Sequence, residues 1–69
     1  MFTITVTTYA GASHNVSIFD EDLANFYFAQ ALKCLDVQAV TMIDAFTGEV
    51  VEQVCDGKIL VFMREVVVD

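Results

Sequence analysis

Apolar and polar residues alternate from the start of the chain, with Phe2, Ile4 and Val6 on one side and Thr3, Thr5 and Thr7 on the other. A period of two sends successive side chains to opposite faces of a strand, so residues 3–9 predict a half-buried strand with a solvated threonine face. Ala10-Gly11-Ala12-Ser13 reads as a turn, and alternation resumes over residues 14–19 with Val16 and Ile18 inward. Together the two segments predict a hairpin.

The period changes after Phe19. Asp20 is a favourable N-cap, and Glu21 and Asp22 suit the positive end of a helix dipole, so a helix is expected from there to about Leu35. At about 100° per residue, Leu23, Ala24, Tyr27, Phe28, Ala31, Cys34 and Leu35 form one broad apolar stripe. Asp22, Asn25, Ala29 and Lys33 lie opposite. Phe26 falls on the polar side and is expected to be exposed.

Residues 37–44 read as a third strand, followed by the turn Ala45-Phe46-Thr47-Gly48. Gly48 suits a left-handed bulge position, and Asp44 can brace the turn through its side chain. Residues 49–55 form a fourth expected strand. Asp56-Gly57 is a two-residue turn that needs positive φ, and residues 58–67 complete the pattern as a fifth strand. The order is ββαβββ in a single domain over residues 1–69. The expected fold class is α+β: an antiparallel sheet of about five strands with one helix packed on one face, strand order open.

With Asp56-Gly57 as the turn, an unbroken hairpin register sets Cys55 against Lys58, Gln53 against Leu60, Val51 against Phe62 and Glu49 against Arg64. On the other face Val54 meets Ile59, Glu52 meets Val61 and Val50 meets Met63. The Glu49–Arg64 pair supports this register, because opposite charges directly across strands stabilise it. Both hairpin faces are then apolar, whereas one helix covers only one. The last strand also has no proline and carries only Arg64 and Glu65 as charged guards in its second half. A homodimer with Val51, Leu60, Phe62 and Val66 at or near the contact, or with the opposite hairpin face there, is the expectation that follows.

Composition sharpens this picture. The chain of 69 residues is 57% hydrophobic with a mean hydropathy of +0.61, too apolar for disorder and more than a small globule hides easily. No apolar run reaches the roughly 18 residues of a membrane-spanning helix. The first residues lack the charge and continuous apolar stretch of a signal peptide. The chain starts at Met1 and is expected to be complete, soluble and cytoplasmic, with Cys34 and Cys55 reduced.

Charge narrows the choice of partners. Three basic residues stand against ten acidic ones, a net charge of −7. Lys33, Lys58 and Arg64 cannot form the basic patch that nucleic acid or an anionic membrane requires. A basic protein surface is the better partner, since opposite fields speed encounter. Solubility alone is the competing explanation for the acidity.

Candidate chemistry is sparse. Asp20-Glu21-Asp22 lacks the ligand spacing and glycine of a calcium loop and is read as helix capping. His14, Cys34 and Cys55 show no metal-ligand spacing, Cys34 is expected to be buried and inert on the helix stripe, and His14 is expected to be a solvated strand residue. The three glycines are scattered through turns and form no phosphate loop. No catalytic residue, metal or cofactor is expected.

The helix followed by Val40-Thr41-Met42-Ile43-Asp44 and then Thr47-Gly48-Glu49-Val50-Val51 resembles small phage and mobile-element proteins. Several anti-CRISPR proteins are similar in size, acidity and α+β build. The resemblance covers about half the chain and carries no functional residue with it. It implies a small acidic inhibitor that occludes a basic surface of a host protein from within the host cytoplasm. Asp20, Glu21, Asp22, Asp36 and Phe26 are the expected contacts, the acids steering and the aromatic ring anchoring. A self-associating structural or accessory protein is the alternative, and a small enzyme ranks below both.

Overall fold

A computed structural model describes residues 1–62, with side chains placed as far as Lys58. The elements are β1 (Phe2–Thr8), β2 (Ser13–Ile18), α1 (Glu21–Leu32), β3 (Val37–Asp44), β4 (Val50–Cys55) and β5 (Lys58–Phe62). All pairings are antiparallel, in the sheet order β2-β1-β3-β4-β5. The α+β class, one helix on an antiparallel sheet, is the one the sequence pattern implies.

This order explains where the helix sits. Both β2 and β3 are antiparallel to β1, so they run parallel to each other with β1 between them. Parallel strands need a crossover, and α1 supplies it by passing over one face of the sheet. Its packing accordingly falls on β1, β2 and β3. On that face the register aligns Ile4 with Met42, Val6 with Val40 and Val40 with Val54. These five side chains, with Ala24 and Phe28 from the helix, form the buried core. Phe2, Ile18, Tyr27, Ala31, Val37 and Val51 pack around it, half-buried. Among the described residues no polar or charged residue is buried.

The opposite face is polar and small. Thr3, Thr5 and Thr7 align with Ser17, Asn15 and Ser13 on one side and with Ile43, Thr41 and Ala39 on the other. The threonines are half-buried rather than freely solvated, because flanking strands shield them, and the Thr5 hydroxyl donates to Asn15 Oδ1 at 2.8 Å.

Several expectations need correction. The helix ends at Leu32, not near Leu35: the amides of Lys33 and Cys34 turn back to the carbonyls of Gln30 and Ala31, a tightened last turn that redirects the chain into β3. Cys34 is therefore exposed instead of buried, and Leu35 is 97% exposed. Leu23 also lies outside the core, because the face α1 turns to the sheet centres on Ala24 and Phe28. Asn25, placed on the polar side by periodicity, is half-buried, and its Oδ1 is enclosed without a hydrogen-bond partner.

The β4–β5 register needs correction as well. Cys55 faces Lys58 and Val54 faces Ile59, as the turn dictates, and then the register slips by one residue. Gln53 pairs with Val61 instead of Leu60, and Glu52 with Phe62 instead of Val61. Leu60 is the inserted residue of a β-bulge, and Val51 is the corresponding extra residue of β4 against β3. A bulge exchanges the faces of every residue beyond it, so the unbroken hairpin register holds only next to the turn. The expected Glu49–Arg64 and Val50–Met63 pairs lie outside the described residues.

The turns themselves behave as their residues require. Asp56 and Gly57 both adopt positive φ, 52° and 77°, the geometry of a tight two-residue hairpin turn. Gly48 has φ 75°, and Asp44 Oδ1 accepts from the Phe46 amide at 2.9 Å.

A core this small makes its central aromatic ring decisive. Phe28→Ala is expected to cost about 3–5 kcal/mol in urea denaturation, as a truncation of a buried ring. Phe26→Ser should leave stability nearly unchanged, since Phe26 is 63% exposed. A large loss from Phe26→Ser would show that both sides of α1 are enclosed.

Candidate functional site

The strand register gathers one end of the molecule. Phe2 pairs with Ile18 on one side and with Asp44 on the other, so β2 and β3 finish at the same end of the sheet, about 10 Å apart across β1. The helix starts there, and so does the β3–β4 turn. Three exposed apolar side chains follow from this geometry: Phe19, 78% exposed, just after β2; Leu23 in the first turn of α1; and Phe46, 81% exposed, at the tip of the turn. Phe26 lies three residues beyond Leu23, on the same helix face, and continues the apolar strip along α1.

Carboxylates share this end of the molecule. Asp20 caps the helix, its Oδ1 accepting from the amides of Asp22 at 2.8 Å and Leu23 at 3.5 Å. Glu21 and Asp22 are exposed in the first turn, where the helix dipole favours negative charge. Asp44 and Glu49 bracket the β3–β4 turn. The α-amino group of Met1 lies at this end too, its residue's carbonyl accepting from the Ala45 amide at 3.0 Å. Lys33 and Lys58 sit at the opposite end, beside the last turn of α1 and the β4–β5 turn. The described charges are thus polarised along the strand direction.

The supporting loops are fixed by hydrogen bonds. The Gly48 amide donates to Asp44 O at 2.7 Å, the Asp44 amide to Glu49 O at 2.9 Å, and the Glu49 amide to Thr47 Oγ1 at 3.2 Å. Phe46 is therefore an aromatic side chain on a constrained turn, and little ordering entropy is lost when such a group is buried in a contact.

Of the expected contact residues, Asp20, Glu21, Asp22 and Phe26 share this end. Asp36 does not: it follows the C-terminal end of α1, about 18 Å of helix away. Sequence reasoning missed Phe19, Leu23 and Phe46, since Phe19 was assigned to a strand, Leu23 to the core and Phe46 to a turn without a role. Of the expected dimer contacts, Val51 packs against the core within its own chain, whereas the side chains of Leu60 and Phe62, and Val66 entirely, lie outside what the structure describes.

The far end holds most of the remaining chemistry. The Tyr9 hydroxyl donates to Asp56 Oδ1 at 2.8 Å, and this hydrogen bond, aided by desolvation, raises the phenol above its ordinary value. Partial burial pushes the Cys55 thiol up, and the charge of the adjacent Asp56 and a hydrogen bond to it at 3.6 Å act the same way. Among the described residues no group of His, Cys, Asp and Glu is placed to hold a metal ion, and no helix is long and apolar enough to cross a membrane.

The chain matches no protein-family model, no curated protein and no solved structure.

The two thiols should separate chemically. At mildly alkaline pH the exposed Cys34 is expected to be alkylated well before Cys55, whose thiolate is disfavoured by burial and by Asp56. Peptide mass spectrometry over a time course reads this directly. Faster modification of Cys55 would mean that the β4–β5 turn does not hold Asp56 against the thiol.

Proposed function

We propose that the protein is a binding module whose acidic, aromatic end docks on a basic surface of another protein. The observation that carries this reading is that Phe19, Leu23, Phe26 and Phe46, all exposed, share one end of the molecule with Asp20, Glu21, Asp22, Asp44 and Glu49. Exposed aromatic side chains suit the desolvated centre of an interface, and a rim of like charge selects partners of opposite sign. The narrower form of the proposal is a small inhibitor encoded by a phage or mobile element. It would act by occluding a basic groove of a host protein in the host cytoplasm. No catalytic constellation enters this mechanism.

Self-association is a second reading, favoured by one observation. The packing of α1 falls on β1, β2 and β3, and β5 is an edge strand of the sheet. A groove lined by Leu32, Val37, Gln38, Glu52, Val54 and Gly57 runs between the helix and the β4–β5 hairpin. A second copy could cover that hairpin and form the homodimer expected from the sequence.

Capture from host lysate by the wild-type protein and by two variants separates these readings. One variant removes the rings, Phe26→Ser with Phe46→Ser; the other removes the charge, Asp20→Asn, Glu21→Gln and Asp22→Asn. A stoichiometric basic partner should be lost with the first and should bind the second with a slower on-rate and a shallower salt dependence. A partner retained by both variants would contradict docking through this end. Sedimentation equilibrium at micromolar concentration reads self-association independently, and a clean monomer would remove the second reading.

A further inference from the structure

At the end of the molecule remote from the aromatic cluster, the last turns of α1 and the chain entering β3 border an open groove of about 390 Å³. Val6, Ala31 and Val37 supply apolar lining, and Thr8, His14, Tyr27, Gln30, Cys34 and Asp36 supply the polar lining. This is the size and composition of a small-molecule site: apolar surface with a few convergent polar groups.

Asp36 is the only Asp, Glu, Lys or Arg among the lining residues, while Lys33 at the C-cap of α1 lies outside the lining. One wall is the last turn of α1, where the helix dipole places partial negative charge. Cys34 Sγ lies 3.7 Å from the Gln30 carbonyl in that turn, and the Asp36 carbonyl accepts from the Tyr9 amide at 3.0 Å, which fixes the chain beside the groove. Tyr27 contributes an aromatic ring to the lining, and its hydroxyl lies 3.4 Å from His14 Nε2, so the two side chains position each other. A carboxylate, a helix C-terminus and an aromatic ring around apolar lining are the elements that recognise an organic cation.

We propose that this groove binds a small organic ammonium ion carrying an apolar group. The ammonium lies near Asp36 and the end of α1, and the apolar group lies on Val6, Ala31 and Val37. The site is separate from the proposed docking end and does not depend on it.

The test uses three probes of one shape at fixed ionic strength and a single mildly alkaline pH: 2-phenylethylammonium, 2-phenylethanol and 3-phenylpropanoate. Binding is followed by the backbone amide shifts of Thr8, Gln30, Ala31 and Val37 and by protection of Cys34 from alkylation. The ammonium should give saturable shifts at these residues at millimolar concentration and should slow Cys34 alkylation. The alcohol should bind more weakly, and the carboxylate should not bind. Asp36→Asn, a change at an exposed position, should weaken ammonium binding about three- to fivefold while leaving the alcohol unaffected. Equal affinity for ammonium and alcohol, an unchanged affinity in Asp36→Asn, or no saturable shift with the ammonium would each overturn the proposal.

Discussion

The contact of Phe28 and Ala24 with Ile4, Val6, Val40 and Met42 is the interaction on which this structure depends. A chain of this length has room for few fully buried side chains, and all of these except Val54 lie on β1, β3 or the inward face of α1. The crossover topology makes that arrangement necessary. The chain must pass from the end of β2 to the start of β3, and the helix that carries it can bury its apolar face only on the strands it spans. Small stability margins are normal for domains of this size, so losing one of these contacts affects the whole fold.

The same packing determines which residues are left for other work. Because α1 commits Ala24 and Phe28 to the sheet, Leu23 and Phe26 face outward, and the cap at Asp20 sets Phe19 and the first-turn acids at one end. The helix is also short. Its early stop leaves Cys34, Leu35 and Asp36 outside the core and opens the groove beside Tyr27 and His14. Two chemically distinct ends result from one packing solution: an acidic aromatic end, and an end with an apolar groove, the two described lysines and the Tyr9–Asp56 hydrogen bond.

Local chemistry was readable from the sequence wherever one residue or one period decides the geometry. The alternation of β1, the Asp20 cap, the Asp44 brace and the Asp56-Gly57 turn all depend on near neighbours, and each appears in the structure. The bulges at Val51 and Leu60 depend on how strands accommodate one another across the sheet, which no local period records. The helix end was hidden for a related reason: Cys34 and Leu35 continue the apolar stripe in sequence, but the chain must turn there to enter β3. Of the candidate site, Asp20, Glu21 and Asp22 were legible as an acidic run at the helix start and Phe26 as the outlier from the helix pattern. Asp44 was legible only as a turn brace and Glu49 only as a cross-strand partner. Phe19 and Phe46 were not, because only the insertion of β1 between β2 and β3 brings residues so distant in sequence to one end.

Native-state hydrogen exchange tests most directly whether β1, β3 and the inward face of α1 form the unit on which the rest depends. The amides of β1 and β3 should exchange slowest and at a common free energy equal to that of global unfolding, with the central turns of α1 close behind. The edge strands β2 and β5 should open at lower free energy. If the β4–β5 hairpin proves the most protected segment, or if β1 exchanges independently of β3, the helix-clamped pair is not the core of this protein.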